Sequence, residues 1–306
     1  MLRYVIAKLI LTVPLLLGVT FALFVIGLVT PGDPVLIMLG ERAPADEVAR
    51  LREALGLDLP WYQQYFQFVG NLLRGDLGIS YRSKLPVSQE VFSRLPATAE
   101  LAFAALVFAV TLGLSMGIVS AVKRNTLIDR LAILVAMLGS SMPVFWSGLL
   151  LIVLFAVNLG WLPASGRGTP YHLIMPAIAL GASGAALIAR ITRSSMLESL
   201  SQDYVRTARA KGLNERVVVI RHALKNALIP VVTVVGLQVG ALLGGAVLTE
   251  TVFSWPGIGL LTVQAIGQRD FPVLRAAVLL VAAIFTLINL LLDIVFVQID
   301  PRIKYR

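Results

Sequence analysis

Ser183 sits in the run Gly181-Ala182-Ser183-Gly184, a G-x-S-G spacing that can present a nucleophilic hydroxyl. Such a serine needs a base within hydrogen-bond reach. The sequence holds only two histidines, His172 and His222. If the uncharged stretch 168–189 forms one helix, Ser183 lies near its middle, His172 at one end and His222 in the loop beyond. Neither imidazole reaches the serine, so the glycines are better read as helix-packing positions. Cysteine is absent, which removes thiolate nucleophiles, thiolate metal sites and disulfides. No G-x-x-x-x-G-K-[ST] phosphate loop occurs either. What remains is charge within apolar sequence. Asp293 lies four residues after Asn289, and Arg190 and Arg193 close another apolar run. A carboxylate inside a membrane needs a partner, so Asp293 with Arg190 or Arg193 forms a candidate intramembrane ion pair, structural rather than a proton relay. Ser140, Ser141, Thr233 and Gln238 could line a pathway, or bond back to their own helices.

The elements that would position these groups are set by composition. Hydrophobic residues make up 58% of the 306-residue chain and charged residues 14%, with a mean hydropathy of +0.85. Soluble domains run at about 45–50% apolar and about 25% charged, so this is the composition of an all-α protein that crosses a membrane repeatedly. A span takes about 20 apolar residues. Charge-free runs at 9–30, 101–122, 131–166, 168–189, 226–249 and 276–292 predict six transmembrane helices. The third run is read as one long helix over about 131–157, with Pro143 as the candidate point for a bend. Gly236, Gly240 and Gly244 form overlapping GxxxG patterns, as Gly113 and Gly117 do in the second span. Missing side chains allow close helix contact, either within this chain or with a second membrane subunit.

Six spans place both termini on one side. With that side taken as cytoplasmic, the inner segments hold 16 of the 26 Lys and Arg residues, including Arg302, Lys304 and Arg306 at the C-terminus. This satisfies the positive-inside rule and accounts for the formal net charge of +9 without nucleic acid. The chain then divides into 1–30 (N-terminus and first span), an extracytoplasmic helical insert at 31–98, and a core at 99–306. The insert is expected to carry helices at about 45–55 and from Pro60 to about Leu73. The second of these is rich in aromatic residues suited to the membrane surface, or to an external partner. Trp255, Pro256, Gly257 and Gly259 mark a turn before a short apolar segment that is either re-entrant or interfacial.

The inner loop at about 195–228 carries the strongest pattern. A short basic helix is predicted from about Asp203 to Lys211 and stopped by Gly212. Asn214 can cap a second helix, with Val217, Ile220, Leu224 and Leu228 at helical spacing. Small residues such as Ala208 would let the first helix seat in a groove, while Arg206, Arg209 and Lys211 could meet acidic groups. Contact with anionic lipid is the alternative.

Arg206-Thr-Ala-Arg-Ala-Lys-Gly212 and the following NERVVVIRHALKNALIP resemble the loop motif of binding-protein-dependent ABC transporter permeases, and within them the dipeptide/oligopeptide/nickel branch. The general motif is E-A-A, three residues, Gly, nine residues, Ile, one residue, Leu-Pro. Gly212 and Leu224 match it; Thr207 and Ala208 fall at the Ala-Ala places. Arg206, His222 and Lys225 depart from the Glu, Ile and Pro, while Pro230 supplies the later proline typical of the branch. TPGDP at 30–34, RGDLGIS at 74–80, LPATAEL at 95–101, SMPVFW at 141–146, LGWLPASG at 159–166 and ETVFSWPGIG at 250–259 follow in the branch's order.

The resemblance implies a multi-pass permease of a bacterial or archaeal plasma (inner) membrane, with no catalytic residue of its own. It implies partners: a second related permease, two cytoplasmic ATPase subunits that bind the ATP and Mg, and an extracytoplasmic substrate-binding protein. No cofactor is expected on this chain. The implied ATPase contact is Asp203, Tyr204, Arg206, Ala208, Arg209, Lys211, Gly212 and Glu215. Ala208→Trp is therefore expected to leave insertion normal and abolish coupling. Peptides are the implied substrate class, with glutathione-like compounds or nickel chelates as alternatives. An ATP-independent secondary transporter is the remote rival; it would often show inverted repeats and broken midplane helices, and no half matching Pro143 is evident.

Overall fold

The computed structural model describes residues 2–40 and 42–299, with side chains described for Lys8, 10–40 and 42–294. Arg302, Lys304 and Arg306 of the orientation argument lie outside the described residues. In chain order the helices are α1 (Leu2–Val29), α2 (Pro34–Leu39), α3 (Ala45–Ala54), α4 (Trp61–Leu73), α5 (Val87–Val122), α6 (Leu127–Ser141), α7 (Val144–Leu151), α8 (Pro170–Leu200), α9 (Asp203–Ala210), α10 (Glu215–Val217), α11 (Lys225–Val252), α12 (Ile258–Gln268) and α13 (Phe271–Ile299). A π-helical stretch extends α7 over Ile152–Asn158, and another joins α10 to α11 over Val218–Leu224. Among the described residues no strand forms; Ile79 and Pro86 make one isolated bridge.

Among the described residues five helices are long and apolar enough to cross a membrane: α1, α5, α8, α11 with its lead-in, and α13. The third expected span differs. Instead of one long helix over 131–157, the chain stops at Ser141 and restarts at Val144, and the two pieces are bent by 109°. Pro143 is the cause. It disfavours helical backbone at the residue before it, and Met142 accordingly sits extended at φ −83°, ψ 130°. The bent pair counts as a sixth span only if both limbs together make one crossing.

The described residues fold as two compact units, one within 1–97 and 256–287, the other within 98–255 and 288–299. Two of the three boundaries fall inside α5 and α13, and the third in the turn between α11 and α12. In the first unit, α4 lies on α1 through Tyr65, which meets Phe21 and Phe24 edge-on with centroids 5.4 Å apart in each case. Its hydroxyl also stands 3.0 Å from Thr20 Oγ1. The unit's core joins Val87 and Val91 of α5 to Ile258, Leu261 and Ala265 of α12 and to Val273, Ala276 and Ala277 of α13. Thus the short apolar segment after Gly257 is a packed helix of this core. Buried Asp270, between α12 and α13, fixes the turn before α5 by accepting from Ser80 Oγ at 2.5 Å and from the Tyr81 amide at 3.2 Å.

In the second unit α8 is the central element, packed by α11, α6 and α7. Bare backbone sets the α5–α8 approach. A Cβ on Gly113 would stand 2.8 Å from the Ala185 carbonyl oxygen, and one on Gly117 2.7 Å from that of Ala189. Gly181 serves α8 in return: its Cβ would lie 2.6 Å from the Ala105 carbonyl oxygen, and one on Gly184 2.6 Å from Gln238 Nε2. Ser183 points away from this contact and is exposed. The G-x-S-G run therefore acts as a packing device. His172 is engaged at the start of α8, where it forms a capping box with Thr169.

Candidate functional site

The site is built by α9 and the turn after it. α9 has eight residues, Asp203 to Ala210. Asp203 opens it, where a negative charge is favoured by the unsatisfied N-terminal amides. Gly212 ends it at φ +73°, a left-handed backbone that costs any other L-residue about 1–2 kcal/mol. Asn214 then accepts a bond from the Arg216 amide at 3.0 Å and starts α10.

Two side chains of α9 turn inward. Val205 is fully buried and Ala208 4% exposed, packed with Met196 of α8, Ala121 of α5, and Val218, Val219, Ala223 and Ala227 of the following segment. The others from Asp203 to Ala210 are exposed, as are Lys211, Gly212 and Glu215. For Ala208 the groove lies within its own chain: its small size seats α9 against α8 and α5, and the exposed face is formed by its neighbours. The i, i+3 spacing of Val205 and Ala208 was the available signal, because those positions share one helix face.

The outward face is aromatic and mixed in charge. Tyr204 is 40% exposed. Arg206 lies 3.5 Å from Asp203 on the same helix. Arg209 reaches across the Gly212 turn and donates to both Glu215 carboxylate oxygens, from Nε at 3.1 Å and from a terminal nitrogen at 2.6 Å. Those hydrogen bonds hold the Arg209 guanidinium above its ordinary pKa. Glu215 thus closes the turn. Lys211 and Arg216 have no carboxylate within 4 Å among the described residues, which leaves the face net basic.

A second ion pair stands at the start of α6. Asp129, 3% exposed, accepts from Arg193 Nε at 2.8 Å and from a terminal nitrogen at 2.9 Å. It also accepts from the Ser120 hydroxyl and from the Asn125 amide. This overturns the expected pairing of Asp293 with Arg190 or Arg193: Arg193 is committed to Asp129, Arg190 is exposed, and neither meets Asp293. The physical reason is local. Thr126 caps α6 and accepts from the Asp129 amide, which turns the last residue of a T-x-x-D start back toward the loop and α8. That signal was present in the sequence. A third buried carboxylate, Glu250 at the end of α11, is 0% exposed and takes a 2.7 Å bond from Thr98.

The expected glycine stripe on α11 divides. Gly236 and Gly240 are buried. Gly244 is exposed, with open space where a Cβ would stand. Its neighbour Gly245 takes the packing role there, with Leu180 3.0 Å from its would-be Cβ.

The model of the family described as "Binding-protein-dependent transport system inner membrane component" matches residues 94–305, and that of the corresponding N-terminal membrane component matches 1–102. A dipeptide transport system permease protein of Alkalihalophilus pseudofirmus is 47% identical, and that of Escherichia coli K12 44%. A glutathione transport system permease protein of Escherichia coli is 45% identical. All three alignments cover 100% of this chain and of the relative. Among solved structures, an inward-facing methionine ABC transporter, MetNI, superimposes with a TM-score of 0.57 at 20% identity, over 69% of this chain and 96% of that one; this likeness concerns the fold.

Proposed function

The chain belongs to the family of inner-membrane components of binding-protein-dependent transport systems, and from that premise we propose that it is the permease subunit of an ATP-driven importer of dipeptides and short peptides. The observation that carries the reading is full-length identity of 44–47% to dipeptide permeases. In this reading a binding protein delivers the peptide, a second permease completes the pathway, and ATP and Mg are held by separate ATPase subunits. The exposed face of α9, with Tyr204, Arg206, Arg209 and Lys211, is the contact through which those subunits act. Val205 and Ala208 root that face on α5 and α8, so a force on α9 passes into two membrane-spanning helices. Movement of a rigid element at one end of a bistable bundle is one route to alternating access.

The glutathione permease relative supports a second substrate, a γ-linked tripeptide that carries one more carboxylate than a simple dipeptide. Reconstitution of the chain with its co-purifying subunits in liposomes tests both. ATP-dependent uptake of a labelled dipeptide in the presence of the binding protein is the expected result. Uptake of glutathione alone would select the second substrate, and uptake by this chain without ATP would overturn the proposal.

A further inference from the structure

Within the first unit a cleft of about 870 Å³ opens between the C-terminal end of α1, α4, the turn before α5 and the first turns of α13. Its walls are mostly apolar, and Arg275 projects into it. The guanidinium carbon lies 5.3 Å from the ring centroids of both Phe24 and Phe68. A side chain at Gly27 would collide with the guanidinium, so that glycine leaves the cation its room. Arg275 Nε is buried without a hydrogen-bond partner, and no carboxylate lies within 4 Å of the side chain among the described residues.

A half-buried guanidinium whose Nε is shut off from water and lacks an anion is costly, and cation–π contact with two phenylalanines recovers only part of that cost. Tyr81 lines the same cleft, and its hydroxyl has no hydrogen-bond partner among the described residues. Burial pushes its phenol above the ordinary range, with Arg275 opposing and Asp270 adding to the shift, so it remains a donor at neutral pH. Asp33 and Asp76 also line the cleft, but Asp33 pairs with Arg52 and accepts from the Val35 amide, and Asp76 accepts from the Gly78 amide, so Arg275 and Tyr81 are left as two donors facing the open space without an acceptor.

The position narrows the ligand. The candidate spans 10–29 and 271–294 both have an end here, at the depth where lipid head groups meet the apolar layer. An arginine guanidinium there is suited to the phosphate of an anionic head group, whose oxygens match its planar fork of donors. We propose that this cleft binds an oxyanion carried on an apolar body, the phosphate of an anionic phospholipid. Arg275 pairs with the anion, Tyr81 donates a second bond, and Phe24 and Phe68 hold the guanidinium plane in place. The proposal is independent of the transport reading.

Native mass spectrometry of the full chain, purified with its accompanying subunits in neutral detergent, tests it. The probes are dioleoylphosphatidylglycerol, dileucine as a free carboxylate, and dioleoylglycerol as the uncharged control. Phosphatidylglycerol should be retained over dioleoylglycerol, about tenfold less by Arg275→Gln, less severely reduced by Tyr81→Phe, and largely kept by Arg275→Lys. Retention of dileucine instead, with the same dependence on Arg275, would keep the oxyanion site and identify its source as a soluble carboxylate. Equal retention by wild type and a monodisperse Arg275→Gln, or no preference of wild type for either anion over the control, overturns the proposal. Should Arg275→Gln fail to fold, unchanged retention by Tyr81→Phe overturns it equally.

Discussion

Arg209 grips Glu215 across the left-handed Gly212 turn with two hydrogen bonds, so the α9 surface and the lead-in to α11 are tied at their shared corner. Both partners are about half exposed. An exposed pair of this kind contributes about 0.2–1 kcal/mol. A double-mutant cycle with Arg209→Ala and Glu215→Ala should return a coupling within that range in low salt and nearly none at 1 M salt, where the Debye length is about 3 Å. The backbone matters more than the pair. Gly212→Val should leave the chain monodisperse in detergent and increase proteolysis between 203 and 217.

Ala208→Trp should destabilise the chain, because the inward side of α9 has no space for an indole. Overpacking costs about 1–3 kcal/mol, occasionally more. The measurement is the thermal midpoint of the purified protein. Tyr204→Ala, on the exposed face, should leave that midpoint unchanged.

The loop shows what the sequence could and could not reveal. Its short helix, its glycine stop and its Asn214 cap follow from local residue types, and the structure places them within a residue of expectation. The insert helices behaved likewise, at Ala45–Ala54 and Trp61–Leu73. Local signals failed where the decisive partner was distant. Nothing near Ser80 announces Asp270, 190 residues away. The charge-free run 101–122 marked the apolar part of α5, yet the helix begins at Val87, because its first turns pack on α12 and α13 instead of lipid. The direction in which Ala208 points depends on which face of α9 the rest of the chain covers.

Asp129→Asn should cost about 2–3 kcal/mol, since Arg193 loses a doubly hydrogen-bonded carboxylate and the charged bonds are the strong ones. Detergent thermal unfolding of this variant, of Arg193→Gln and of the pair should show strong non-additivity. Simple additivity would mean that the two residues act separately.

Two glycines separate internal packing from a free surface. Gly117→Ala drives a methyl toward the Ala189 carbonyl and Thr192, and should lower stability by about 1–3 kcal/mol. Gly244→Ala meets open space, and should stay within about 0.5 kcal/mol of wild type. Gly244→Leu should likewise preserve the isolated chain while weakening retention of a second permease during purification, if that face of α11 is the shared one.

The central claim is that the outer face of α9 transmits ATPase action. The most direct measurement is peptide-stimulated ATP hydrolysis, together with uptake, by the complete reconstituted assembly carrying Tyr204→Ala and Arg206→Glu. Both residues are exposed and remote from the buried side of α9, so the chain itself should fold and insert as wild type. The account predicts loss of stimulation and of uptake by about tenfold or more, with the chain's thermal midpoint unchanged. Wild-type stimulation and uptake in that double variant would contradict it.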